Sequence, residues 1–588
     1  MKEFFKFMFA SMVGFILTII ILSFIFFGIL FAVISFTTST EISIPSKTVL
    51  IIKLDRPVMD RSPKNPIFIN LSSSSRINGL NDILDNIKKA ESDPDIKGIL
   101  LDISVIPSGF STIDEIRDAL IDFKKSGKFV ISYSEAYTQS AYYLSTVSDK
   151  ICLNPQGMLV FKGLNAELTF LKGTLDKLDI KVQVIRHGKY KSATEPLLLD
   201  KMSPENRQQI AALISAIWNR ILTGISETRN IPVKELNRLA DSLKIETPED
   251  ALKYKLVDRL VYKDELIAEL KKLLGTADKK EISSITIEKY TNVPERVKFR
   301  NEKDGKIAVI YATGSIASGE GDDQTIGSER LSKAIRKARE NNKIKAIVLR
   351  VNSPGGGVLA SDVIWREVAL AAKAKPVVAS FGNVAASGGY YIACPSTKIF
   401  ADPGTVTGSI GVFALIPNFK DFFNKKLGIT FDNEATNKNS DFISLNKPLS
   451  PFQEKVLQHD IEQIYDTFLS HVSEGRHLSK EKVDSIGQGR VWGGADALKI
   501  GLIDEIGGLE KSIKAAAELA KIKNYRIVEL PEQKDPLQQL YEQLMGDTRV
   551  SVLEQELGEN YKYYRYLKEI REMKGLQMRM PFMISFDD

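Results

Sequence analysis

Three short stretches carry residue types suited to acyl transfer. Ser387 stands in Ala386-Ser387-Gly388-Gly389-Tyr390-Tyr391, just after an apolar strand-like run. A serine at a strand-to-helix turn is presented outward, and the Gly388 N–H can face the same oxyanion. Asn352-Ser353-Pro354-Gly355-Gly356-Gly357 lies between a buried-strand pattern and a helical one. Its glycines let the backbone approach a ligand and turn N–H groups toward it. Gly355 or Gly356 would then join Gly388 in an oxyanion hole. Phosphate binding does not fit, because the P-loop Lys-Ser/Thr pair is missing. The third stretch is Gly188-Lys189-Tyr190-Lys191-Ser192-Ala193. A serine nucleophile needs a base, and a lysine serves if it is held neutral. Its reference pKa of about 10.4 falls by up to roughly 3–5 units on burial, and Ser-Lys pairs follow the logic of the Ser-His-Asp triad.

The residues alone leave rivals standing. Four histidines exist, His187, His459, His471 and His477. The last three sit in a charged helical stretch, and no Ser-His-Asp arrangement is readable. His187 lies near Lys191 in sequence. Lys438 is the competing lysine in the serine's own half. A plain glycine turn, an inert serine and a solvated lysine all remain open from residue type alone.

A repeat narrows the choice. Shifted by 248 residues, Ile96–Gly163 aligns on Ile344–Gly411 without a gap. Tyr142-Tyr143 falls on Tyr390-Tyr391, Lys150-Ile151 on Lys398-Ile399, and Pro155 on Pro403. Gln139 stands where the second copy has Ser387, and Ile106-Pro107-Ser108-Gly109 stands opposite Pro354–Gly357. Lys191 falls on Asn439, although a one-residue gap brings Lys438 there instead. One copy is equipped to supply a nucleophile and the other a base, and neither is complete alone.

The elements that must position these residues follow from pattern. Val49-Leu50-Ile51-Ile52 and Ile307-Ala308-Val309-Ile310 open the two copies as short apolar strands. Ala346–Val351 reads as a buried strand, Ser361–Ala372 as a helix, and Pro376–Ser380 as the next strand. Alternating strands and helices predict parallel βα units, hence an α/β fold built twice. We divide the chain into an anchor and linker (1–45), a first module (46–275), a joining segment (276–304), a second module (305–535) and a C-terminal helical extension (536–588). Leu537–Lys574 reads as an amphipathic helix. The tail from Met578 to Asp588 is apolar enough to pack on a core or another subunit.

Bulk properties set outer limits. The 588 residues exceed one core, and 43% hydrophobic with 26% charged residues is an ordinary globular composition. A net charge of +6 argues against nucleic acid as the main partner. The two cysteines, Cys152 and Cys394, do not occupy equivalent repeat positions and read as buried free thiols. With no Cys/His cluster, no zinc site is expected, nor any other metal or cofactor. No charge occurs from Phe7 to Thr40, more than the roughly 20 residues that span a bilayer. Lys2 and Lys6 before the span favour a cytoplasmic N-terminus. We therefore expect one uncleaved transmembrane helix with the bulk of the chain beyond it.

Gly188–Pro196 with Lys-Ser-Ala-x-Glu-Pro, Asn352–Gly356, Ala386–Tyr391 and Thr407-Gly408-Ser409-Ile410-Gly411-Val412 together resemble the signal peptide peptidase A (protease IV) family in its long duplicated form. The likeness runs from the membrane span to about Gly508. It implies tandem modules of the crotonase/Clp-protease type and a serine peptidase with Ser387 as nucleophile and Lys191 as general base. It also implies that Ser409 holds the lysine; its repeat partner is Phe161. Hydrophobic peptides, signal peptide remnants among them, are the implied substrates. The implied assembly is a bowl-shaped homo-oligomer, a homotetramer, on the inner membrane with its catalytic region in the periplasm. A crotonase-like acyl-thioester enzyme and an inactive membrane scaffold are the alternatives. A lysine base further predicts activity that rises with pH.

Overall fold

The computed structural model describes residues 2–37, 43–62, 79–277, 279–294, 305–533 and 576–580. The apolar N-terminus forms one helix, Lys2–Thr37. Within it, Glu3–Ile25 is long and apolar enough to cross a membrane, with a mean hydropathy of 2.5, and it is not buried against the rest of the chain. At about 1.5 Å of rise per residue it reaches about 34 Å, against a hydrocarbon core of about 30 Å.

The first module is a six-stranded, wholly parallel sheet. Its order is Arg259–Leu260, Lys150–Leu159, Phe129–Tyr137, Ile96–Asp102, Thr48–Ile52, Ser284–Thr286. The second module repeats that order: Lys398–Ala401 beside Val377–Ala386, then Ile344–Ser353, Lys306–Thr313 and Arg526–Leu530. Val406–Gly408 continues the far end of Val377–Ala386, with Val491–Gly493 antiparallel beyond it. The central strands are buried on both faces, which is why they read as near-continuous apolar runs. Ser284–Thr286 lies in the stretch read from sequence as a joining segment, yet it is the edge strand of the first sheet.

Helices repeat as well. Leu80–Ser92 and Phe110–Lys124 correspond to Ser328–Glu340 and Val358–Ala374. Pro204–Arg229 and Pro451–Arg476 are both 26 residues long and both end on a left-handed cap, at Asn230 and His477. Even polar details recur. The Tyr142 hydroxyl donates to Leu256 O and the Tyr390 hydroxyl to Leu502 O. The Asp258 carboxylate accepts from Ile151 N–H as Asp504 accepts from Ile399 N–H.

The modules share their interior. Ala386, Val406 and Val491 of the second join the apolar core of the first. Arg350, fully buried, donates to Asp60 at 2.7 Å and Glu115 at 2.6 Å, both from the first module. A third sheet crosses the junction. Its order is Thr325–Gly327, Ser315–Ala317, Gly355–Gly357, Leu576–Arg579, Phe413–Asn418, Lys181–Arg186. The last pair joins the modules, antiparallel from Phe413↔Arg186 to Asn418↔Lys181. The amphipathic stretch Leu537–Lys574 lies outside the described residues, whereas Leu576–Arg579 within the extension is a strand. Cys152 and Cys394 are buried and free, and burial pushes the Cys152 thiol up to about 12.

Candidate active site

The strand Val377–Ala386 ends at Ser387, where the chain turns into the helix Gly388–Ala393. Ser387 takes φ 55° and ψ −115°, a left-handed setting that costs a non-glycine residue about 1–3 kcal/mol. Two backbone bonds hold it there: Ser387 N–H donates to Gly408 O at 2.8 Å, and Tyr391 N–H donates to Ser387 O at 2.8 Å. The turn aims the side chain across the module junction.

Lys191 meets it from the other side, 196 residues earlier in the chain. Its Nζ lies 2.8 Å from Ser387 Oγ, 3.0 Å from Ser409 Oγ and 3.0 Å from Ser409 O. A neutral amine has two N–H groups and one lone pair. A neutral amine so placed can give its two N–H groups to Ser409 and turn its lone pair to the Ser387 hydroxyl. Lys191 is fully buried, and burial, with no carboxylate to offset it, holds its pKa well below the ordinary lysine value.

Local sequence explains why Lys191 stays in place. Tyr190 N–H donates to Gln488 O, and Arg186 donates to Lys191 O. Behind the loop, the Ser192 hydroxyl donates to Asn206 Oδ1 and the Gln209 amide donates to Ser192 Oγ and Tyr190 O. Glu195, also buried, accepts from Ser203 and Asn206. Gly489 presses on the lysine: a Cβ there would sit 2.6 Å from Lys191 Cβ. Of these supports Ser192 and Glu195 belong to the Lys-Ser-Ala-x-Glu-Pro motif. Asn206, Gln209 and Gly489 are distant in sequence and carry no local signal.

The glycine loop closes the third side. Gly355 takes φ +99°, and its N–H donates to Ser353 Oγ. The Gly356 N–H takes no part in that bond; Gly356 lies beside Gly388 and pairs with Met578 in the sheet. A Cβ on Gly388 would lie 3.1 Å from Gly356 N, and one on Gly355 would lie 2.7 Å from Gly388 N. The two backbone segments converge so closely that side chains are excluded from both.

The rivals fall elsewhere. Lys438 is exposed. His187 turns from Lys191, with Nδ1 2.6 Å from Glu462 and its ring stacked on Tyr465. His471 stacks on Trp365. In the first module Gln139 is buried, and its amide satisfies Lys162 N–H, Gly163 N–H and Gly163 O. Phe161, opposite Ser409, packs against Tyr142 and Trp218. The equivalent pocket is thus filled by its own side chains. Among the described residues there is no group of His, Cys, Asp and Glu able to hold a metal ion.

Known proteins agree with this duplication. The signature of "Peptidase family S49" matches twice, at residues 122–277 and 369–523. The chain is 35% identical to "Protease 4" of Haemophilus influenzae over 86% of its length and 84% of that protein. It is 37% identical to "Protease 4" of Salmonella typhi, over 82% of this chain and 79% of that one. It is 33% identical to "Serine protease SPPA, chloroplastic" of Arabidopsis thaliana, over 84% and 73% respectively. With a serine turned out at a strand end, a glycine loop beside it and two copies of the signature along its length, this chain belongs to peptidase family S49 and is a serine-type peptidase.

Proposed function

We propose that the chain is a membrane-anchored endopeptidase working through a Ser387–Lys191 dyad on extended hydrophobic peptides, signal peptide remnants among them. One observation carries the reading: a fully buried lysine amine 2.8 Å from Ser387 Oγ, donated by the other module. Neutral Lys191 takes the hydroxyl proton, and Oγ attacks the peptide carbonyl. The Gly388 and Gly356 N–H groups receive the oxyanion, with Gly355 shaping the turn between them. Protonated Lys191 then gives its proton to the leaving amine, and water hydrolyses the acyl-enzyme. Ser409 orients the amine through both its hydroxyl and its carbonyl.

The apolar helix Lys2–Thr37 supports a single-pass anchor, with the catalytic modules on the periplasmic face of the inner membrane and assembled as a homo-oligomer, a homotetramer. A site tethered beside the bilayer meets peptides as they leave it. The test is hydrolysis of a hydrophobic peptide by the full chain, Ser387→Ala, Lys191→Ala and Lys438→Ala, with the assembly state of each checked. Activity should fall at least about 10³-fold in the first two and persist in Lys438→Ala. A fully active Lys191→Ala protein would refute the dyad.

A further inference from the structure

The loop that carries Lys191 has two ends, and both are fastened to one residue of the other module. Helix Pro451–Arg476 presents Tyr465 beside the loop. At the near end, the His187 ring stacks on the Tyr465 ring, with centroids 3.8 Å apart and planes 22° off parallel. Glu462, one turn earlier on the same helix, holds the imidazole through Nδ1 at 2.6 Å. At the far end, Tyr190 N–H donates to Gln488 O at 2.9 Å, and Gln488 N–H donates to the Tyr465 hydroxyl at 3.1 Å. Between the two ends, Gly188 runs so close to Gln488 that a Cβ on it would sit 2.4 Å from Gln488 O. His187, Tyr190, Gln488 and Tyr465 therefore close a ring around the turn that delivers the lysine.

The ring is anchored from behind. The Tyr465 hydroxyl donates to Asp484 Oδ1 at 2.6 Å, and the Gln488 side-chain amide donates to the same oxygen at 2.6 Å. The segment that Gln488 opens also meets the site itself: Gly489 presses on Lys191, and Arg490 O accepts from Ser409 N–H at 2.7 Å. A displacement of Tyr465 is thus passed to the amine and to the Ser409 beside it. The repeat shows the same position used differently. Helices Pro204–Arg229 and Pro451–Arg476 have equal length, so Trp218 stands at the step of Tyr465. Trp218 Nε1 donates to Asn237 Oδ1 as the Tyr465 hydroxyl donates to Asp484, but its ring packs on Phe161 of its own module. In the second copy that position faces a loop of the other module.

We propose that His187 and Tyr465 are positioning residues of this chain: their stacked rings form a clasp that fixes where the Lys191 amine stands relative to Ser387. The inference rests on the Ser387–Lys191 reading above and adds to it a pair of residues that none of the sequence motifs contains. Neither ring touches the reacting atoms, so the clasp acts on proton transfer and not on peptide binding. Its loss lets the loop move outward and water reach the amine.

The experiment compares the full chain with His187→Ala, His187→Phe and Tyr465→Phe, measuring kcat and KM for a hydrophobic peptide across pH, with circular dichroism and assembly state checked. His187→Ala should lower kcat by about 10²-fold, the scale of a misplacement of about 1 Å, with KM unchanged. His187→Phe keeps an aromatic ring on Tyr465 and should recover kcat to within about threefold of the parent. The acid limb of the pH profile supplies a readout that a general loosening of the fold does not move. The polar partners of the amine are Ser387 and Ser409, both uncharged, and burial is what depresses its pKa. Water entry undoes part of that depression, so the limb should move to higher pH in His187→Ala and Tyr465→Phe and return in His187→Phe. Should His187→Ala fail to assemble, Tyr465→Phe, which keeps the stack and loses the hydroxyl on Gln488, carries the test. Parental kcat in an assembled His187→Ala, a loss that falls on KM instead, a limb that stays in place, or no recovery in His187→Phe overturns the clasp. The dyad reading fails separately: Lys191→Ala then cuts peptide at the parental rate, and the clasp falls with it.

Discussion

In the proposed dyad Lys191 is the base, and burial holds its pKa well below the ordinary lysine value. Peptide hydrolysis should rise with pH through a lysine pKa lowered well below its ordinary value, and a rate flat from about pH 5 to pH 9 would exclude a lysine base. The same burial acts on stability with a definite sign. The folded chain holds the amine neutral where the unfolded chain binds a proton, so the stability cost is present below the ordinary lysine value of about 10.4 and is relieved as pH approaches it. Lys191→Met should therefore unfold at a higher temperature than the parent at neutral pH, with the gap shrinking toward pH 10. Ser387 stores strain of a different kind. At φ 55° a glycine rests easily and an alanine does not, so Ser387→Gly should be more stable than Ser387→Ala by about 1 kcal/mol in denaturant titrations, with both inactive. Much of this site is legible in the order of residues, because the serine is missing from one copy and the lysine from the other. What residue types do not decide is the choice of Lys191 over Lys438. The fold buries Lys191 beside Ser387 and leaves Lys438 exposed.

At the scale of elements, the strands that announce themselves are those buried on both faces. Val49–Ile52 and Ala346–Val351 fall inside Thr48–Ile52 and Ile344–Ser353, and the helix expected at Ser361–Ala372 lies within Val358–Ala374. The third sheet gives no such signal. Gly355–Gly357 has no side chains to show a period, and the strands around it are three to six residues long. Such strands owe their existence to tertiary pairing rather than propensity. Loops matter as much as strands for placing the base. Gly489, at φ +79°, lies against Lys191 so closely that any Cβ must displace the lysine or its backbone. Gly489→Ala should lower kcat by about 10²-fold, the scale expected of a misplacement of about 1 Å, while circular dichroism and assembly stay as in the parent. Unchanged kcat would show that the lysine tolerates a shift.

The whole molecule is two copies of one module fused through a polar knot. Arg350 reaches from the second module into two carboxylates of the first, with Asn352 also on Asp60 and Leu509 N–H on Glu115. Removing one partner from a buried charge network costs about 3–5 kcal/mol, so Arg350→Ala should lower the unfolding free energy by that amount and reduce peptidase activity in parallel. Replacing Arg350 by Met should be similarly damaging, because Asp60 and Glu115 stay buried without their cation. Stability equal to the parent in both would mean that the apolar core alone joins the modules. None of these contacts is visible in the sequence, since they link positions some 235–394 residues apart.

The proposed dyad, divided between two modules, also has a timetable. The 196 residues between Lys191 and Ser387 take about 10–40 s to synthesise at about 5–20 residues per second. Through that interval the emerging chain holds the proposed base with no nucleophile to activate, so the first module can fold among other peptides without cutting any of them.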